Sequence, residues 1–301
     1  MAGRRDWIVG IVIGGAFIVF TVATLLLVFT MQPGDGMSLG GFGDRVGIVE
    51  VTGSITSSET AVRQLRRFSE DESIPAIVLR INSPGGGVAA SQEIYSEVLR
   101  VRDKGKVVVA SMSSVAASGG LYIAIACDHI VANPGTLTGS IGVILQFPTA
   151  EELFDKVGIQ YETVKSGQFK DVGNISRNMR EDEHDILQDV IDDTYEQFIE
   201  AVAEGRGLEL DSVRTFADGR IFTGRQAQGL GLVDELGDLQ VALNSAAEMV
   251  DLDTPPETVR AIERRRPSIL DFVGRTLVDW VMDYMEEQRT AAPELEYRFP
   301  Y

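Results

Sequence analysis

The chain has 301 residues, 44% of them apolar, which is enough for one large domain or two small ones around a buried core. Its single cysteine, Cys127, excludes an internal disulfide framework and reads as a small buried hydrophobe in LYIAIACDHIV. The formal net charge of −18, from 45 acidic against 27 basic residues, excludes a phosphate-binding surface, so no nucleic-acid partner is expected. Only five of the basic residues are lysine, the pattern of either a plain solvated acidic face or a surface adapted to high salt.

In chain order, the first element is apolar. No charged residue occurs from Trp7 to Gly34, and residues 7–30 are dense in Ile, Val, Leu and Phe. As a helix that stretch spans the roughly 30 Å hydrocarbon layer. Arg4 and Arg5 precede it and Asp35 and Asp44 follow, which predicts a cytoplasmic N-terminus and the bulk of the chain outside the cell. A cleaved signal peptide would need a shorter apolar region and a small-residue cleavage site; FTMQPGDG has no clean one, so a retained anchor (1–31) is expected. Residues 32–45, rich in glycine, read as a flexible tether.

From residue 46 to 250 the pattern is that of a globular domain. The β-branched runs 46–51 (VGIVEV), 74–81 (IPAIVLRI), 107–111 and 130–132 predict strands, and 60–70, 89–102 and 121–128 predict helices between them. Alternation at this spacing argues for an α/β fold with a mostly parallel sheet. After Pro148 helix dominates: 150–159 and 181–206, the latter with Ile186, Leu187, Val190, Ile191, Tyr195, Phe198, Ile199 and Val202 at helical spacing. Residues 251–301 read as a Pro-containing linker, an arginine cluster (Arg264, Arg265, Arg266) and an amphipathic helix over 268–288. Charges at Asp271, Arg275, Asp279 and Asp283 exclude a second membrane span there.

Two histidines and one cysteine supply no zinc spacing, and no Walker loop or dinucleotide fingerprint occurs in the right context, so neither metal nor cofactor is expected. His129, after an apolar helix, reads as structural. Three segments remain. In SSVAASGGLY (113–122), Ser118 follows a strand and opens a helix, where free N–H groups favour developing negative charge. In NSPGGGV (82–88), consecutive glycines can turn backbone N–H groups toward one point. In KSGQFKDVG (165–173) stand two of the five lysines, and a lysine, unlike an arginine, can be made a neutral base by desolvation. Taken singly, each has a plain structural alternative: a helix cap, a tight turn, a surface lysine.

Together, in this order, the segments resemble the signal peptide peptidase A family of serine proteases, related to Clp protease and the crotonases. The carriers are LRINSPGGG (79–87), SSVAASGGLYIA (113–124), ANPGTLTGSIGV (132–143), KSGQFKDVG (165–173) and DGRIFTGRQAQGLGLVDELG (218–237). The resemblance implies a crotonase/Clp-protease-like spiral ββα superhelix, with Ser118 as nucleophile, Lys170 as general base and Ser140 orienting the lysine amine. Gly85 and Gly119 are implied as oxyanion-hole donors. It further implies apolar peptides, cleaved signal peptides among them, as substrates, and a homo-oligomeric ring in which neighbours complete each site. Leu121 stands where many members carry an aromatic residue, which bears on pocket shape. Other proteins share parts of the pattern: stomatin-linked membrane proteases with the same dyad, crotonase-like acyl-CoA enzymes and non-catalytic peptide-binding scaffolds.

Overall fold

The computed structural model describes residues 44–261. The expected anchor, all but the end of the tether and the amphipathic extension lie outside the described residues, among which no helix is long and apolar enough to cross a membrane.

The elements run β1 (Val46–Thr52), α1 (Glu59–Ser69), β2 (Ala76–Ser83), α2 (Val88–Asp103), β3 (Val107–Ala117), α3 (Gly119–Ile125), β4 (His129–Ala132), β5 (Leu137–Gly139), α4 (Glu151–Val157), α5 (Glu181–Arg206), α6 (Leu210–Arg214), β6 (Ile221–Thr223), α7 (Gly224–Gly229), β7 (Glu235–Leu236), α8 (Leu239–Glu248) and β8 (Thr258–Arg260). β1, β2 and β3 pair in parallel at the centre of the sheet. Their residues are buried on both faces: Ile77, Val78 and Leu79 are all wholly inaccessible, which is why the run is continuously apolar and not alternating. On one face Leu65 of α1, Ile94 and Val98 of α2 and Leu121 of α3 build the main core; on the other, Ala242, Leu243, Ala246 and Ala247 of α8 lie against Val46, Val78, Val109 and Val131.

β3 serves two branches of this mixed sheet. Its first half (Val109 to Met112) pairs with β4, which carries β7, and its last three residues pair with β5, which carries antiparallel β6. The strand therefore runs six residues past the expected 107–111. Small residues and hydroxyls permit it: Ala116 and Ala117 are buried, and Thr136 and Thr138 donate through Oγ1 to the carbonyls of Ser113 and Ala116, both at 2.6 Å. β8 falls in the segment read as a linker, where Thr258 aligns with Val46 at the free edge of β1.

α5 occupies the expected residues, yet its apolar stripe is only half used. Phe198, Ile199 and Val202 are buried, whereas Ile186 and Val190 are 39% and 53% exposed. The stretch before α5 is likewise apolar and uncovered, with Ile144, Leu153, Val157, Ile159, Tyr161 and Val164 all exposed. Contiguous exposure of this kind marks an interaction surface.

Candidate active site

β2 and β3 end at the same level of the sheet, and the two loops that leave them build the site. Ser118 follows the last residue of β3 with φ 52° and ψ −120°, before α3 begins at Gly119. A non-glycine residue there is strained by roughly 1–3 kcal/mol, and the surroundings must hold it. Ser118 N–H donates to the Gly139 carbonyl at 2.9 Å and its own carbonyl accepts from Tyr122 N–H at 2.9 Å. One strand over, Ser140 follows β5 with the same φ of 52°, its N–H donating to the Arg220 carbonyl at 2.8 Å. Since Ala117 aligns with Gly139, the two serines leave adjacent parallel strands side by side.

The glycine turn after β2 closes over Ser118. Ile55 pins it, donating to the Gly85 carbonyl at 2.9 Å and accepting from Gly87 N–H at 2.8 Å. A Cβ on Gly85 would sit 2.8 Å from both the Gly119 nitrogen and Ser118 Cβ, and φ there is 102°, so only glycine fits. The N–H of Gly85 is already engaged: it donates to Ser83 Oγ at 3.0 Å, and the residue is buried beneath the turn. Gly86 is exposed on the cleft and its N–H has no acceptor among the described residues. The open donor of this loop thus lies one residue beyond the expected Gly85. Gly119 N–H, in the first turn of α3, is the second open donor, as the capping pattern of a helix start requires.

Ser118 opens into a cleft of about 610 Å³ shared with Gly86, Ser140, Ile144, Tyr195 and Asp218. A smaller recess of about 30 Å³ beside it is walled by Val88, Tyr122, Val143 and Phe198. Tyr95, Tyr122 and Phe198 pack in a row, tilted and edge-on, with centroids 4.9 and 5.1 Å apart. Leu121, singled out in the sequence for pocket shape, is instead buried in the core, and the aromatic wall comes from Tyr122. The sequence does not assign Gly86, Tyr122 or Phe198 individually to the site, because each assignment depends on how the turn and α5 pack.

Lys170 is not in this cleft. It lies on an exposed turn, lines neither recess that contains Ser118, and is the one lysine of the five whose ammonium has no partner among the described residues. The structure of one chain brings together Ser118, Ser140, Gly86 and Gly119 and leaves Lys170 apart. His129 is held at 3.2 Å from Glu235, away from Ser118, and burial pushes the Cys127 thiol up, out of thiolate chemistry.

Comparison with known proteins narrows what such a cleft does. The model of peptidase family S49 matches residues 100–253, and that of Clp protease residues 44–135. A Synechocystis sp. protein carrying a provisional protease name is 46% identical over 231 residues, 76% of this chain and 83% of that protein. The chain belongs to peptidase family S49. Protease 4 of Haemophilus influenzae is 33% identical over 80% of the chain, and the chloroplastic serine protease SPPA of Arabidopsis thaliana 33% over 79%; the S49 domain here spans only 38% and 36% of their lengths. As an S49 member the chain is a serine protease, a hydrolase of peptide bonds. The fold is shared with the 1510-N membrane-bound stomatin-specific protease at a TM-score of 0.50 and 19% identity, over 73% of this chain and 98% of that one. The resemblance to the signal peptide peptidase A proteases, with their Clp-related fold, is therefore correct.

Proposed function

We propose that this S49 protease is a membrane-anchored endopeptidase in which Ser118 is the nucleophile and Lys170 the general base, degrading cleaved signal peptides and other apolar peptides at the outer face of the cell membrane. The observation that carries the reading is the meeting, in one cleft, of a hydroxyl at a strained strand-to-helix turn with two open backbone N–H groups, those of Gly86 and Gly119.

In the proposed reaction Ser118 Oγ adds to the scissile carbonyl carbon while its proton passes to a neutral lysine Nζ. The carbonyl oxygen takes the negative charge, and the Gly86 and Gly119 N–H groups offset it; one such donor is worth about 10²–10³ in rate. Collapse breaks the C–N bond, the lysine returns the proton to the leaving amine, and water then hydrolyses the acyl-enzyme by the same route. Ser140 Oγ, beside Ser118, is suited to orient the amine. No cofactor is needed.

A lysine serves as base near neutral pH only where burial lowers its pKa from about 10.4. Within one chain Lys170 is exposed and outside the cleft. The reading therefore takes the lysine from a neighbouring copy in a homo-oligomeric ring, and the exposed apolar arm over residues 144–190 supports such an interface. The apolar segment over residues 7–30 would hold the ring against the membrane, where apolar peptides remain after export.

The test is hydrolysis of a fluorogenic apolar peptide and of a detergent-solubilised signal peptide by the full chain in high salt. Loss of turnover in Ser118→Ala and in Lys170→Ala, with assembly size unchanged, is expected. Full activity in either variant would overturn the dyad.

A further inference from the structure

We propose that Arg177 and Glu183 are positioning residues for Lys170, acting through the carboxylate and carbonyl of Asp171; the inference rests on Lys170 being the general base. The turn that carries Lys170 belongs to no strand or helix. Its own backbone bonds are long: Lys170 N–H to the Gly167 carbonyl at 3.3 Å, Val172 N–H to Phe169 at 3.3 Å, Asn174 N–H to Asp171 at 3.2 Å. Something else must hold a turn whose backbone contacts are this weak.

Charged side chains do so from both flanks. Arg177 donates through Nε to the Asp171 carboxylate and through Nη2 to the Asp171 carbonyl, each at 3.2 Å. Lys165 pairs with the same carboxylate and donates to the Gln168 carbonyl at 2.9 Å, and Arg180 reaches that carbonyl at 3.3 Å. Arg177 is in turn fixed at its far side by Glu183, which accepts from both terminal nitrogens at 2.8 and 2.5 Å. Glu183 is wholly buried in the first turn of α5, where it also accepts the Arg180 N–H at 3.0 Å. A continuous path of charge-assisted bonds thus runs from the rigid start of α5 through Glu183, Arg177 and Asp171 to the residue next to Lys170. The planar guanidinium of Arg177 is what lets one side chain grip two carboxylates and two carbonyls, those of Asp171 and Asn178, at once.

The path has a consequence that a merely structural cluster lacks. Six charges meet here, Lys165, Arg177 and Arg180 against Asp171, Asp182 and Glu183. Neutralising Asp171 or Glu183 leaves a net positive cluster beside Lys170 and frees its turn. Both effects fall on the proton-transfer step and leave peptide binding in the Ser118 cleft untouched.

Full chain in detergent, with assembly size and thermal unfolding checked for each variant, would be assayed as wild type, Lys170→Ala, Asp171→Asn, Arg177→Gln, Arg177→Lys, Glu183→Gln and the Arg177→Gln/Glu183→Gln double. Expected is a fall of about 10–100-fold in kcat at a KM within about twofold for the single neutral variants, as misplacement of a catalytic group produces. Arg177→Lys should recover part of that loss, and the double should be no worse than the poorer single. In Asp171→Asn the acidic limb of kcat/KM against pH should move to lower pH. Wild-type kcat in Arg177→Gln together with a dead Lys170→Ala would overturn the positioning role; Arg177, partly exposed at the protein surface, keeps the test open if Glu183→Gln unfolds. Undiminished turnover in Lys170→Ala would instead remove the base on which the inference rests.

Discussion

If Lys170 acts on the Ser118 of a neighbouring copy, two inactive variants should restore each other. Take Ser118→Ala and Lys170→Ala subunits, dissociated and reassembled together in equal amounts. A site is intact when its serine comes from a Lys170→Ala copy, at a chance of one half, and its lysine from a Ser118→Ala copy, again one half. The mixture should regain about one quarter of wild-type kcat/KM whatever the ring size, because each heterologous interface is drawn independently. If both residues came from one chain, the expected recovery is zero, since every chain then carries a defect. The first outcome is expected because Lys170 is exposed and lines neither recess around Ser118. The assay is hydrolysis of a fluorogenic apolar peptide, with a tagged subunit confirming co-assembly. Background activity in a mixture proven to have co-assembled would refute a shared site.

Three further predictions concern the scaffold. Gly85→Ala places a Cβ 2.8 Å from the Gly119 nitrogen and Ser118 Cβ at a φ of 102°, so it should cost about 3 kcal/mol by denaturant unfolding and abolish turnover; a stable, active variant would contradict the close approach. Ser118→Gly and Ser118→Ala should both be inactive, yet the glycine variant should be the more stable by about 1 kcal/mol, because it alone relieves the φ of 52°. Acid should loosen the Lys170 turn: hydrogen bonds from Arg177 hold the Glu183 carboxyl at about 2 against an ordinary 4.5, and Asp171 is lowered likewise by Arg177 and Lys165. Their contribution is whole above pH 4.5 and drains away as pH falls toward 2, so thermal melts from pH 6 to 2.5 should decline, and Glu183→Gln should flatten the lower part of that curve.

The parts of the fold that were legible in the sequence are those where one physical term dominates. β1 and β2 are buried on both faces, and a run such as AIVLRI has no other use. α5 declares itself through the spacing of Ile186, Val190, Phe198 and Val202, and its ends were readable to the residue. What periodicity cannot say is which part of a stripe the chain covers by itself, and here only the half beyond Tyr195 is buried. The end of β3 was hidden because SSVAA carries no apolar run; its pairing comes with small side chains and the hydroxyls of Thr138 on β5 and Thr136 just before it. Three-residue strands such as β5, β6 and β8 fall below any period. At the site, Ser118 and the glycine turn stood out by residue type, but the donor at Gly86 did not. Whether a glycine N–H is open depends on one side chain, Ser83, whose Oγ reaches forward two residues to accept the N–H of Gly85 and leaves that of Gly86 free.

Lys170 was picked out by scarcity, and its surroundings suggest why a lysine stands alone. The other four lysines are tied to a carboxylate, a hydroxyl or a carbonyl, whereas Lys170 is presented bare on a turn braced by Asp171, Arg177 and Glu183. Bracing an exposed ammonium has no value to the isolated domain, since a cation in water needs no fixed direction. It does have value if the amine must meet a serine on another copy at bonding distance, with its water stripped by the apolar arm around it. On that view the basicity of the lysine is conferred by assembly. A protease built so would be inert as a free chain, with the Ser118 cleft and the Lys170 turn as the two halves of one site.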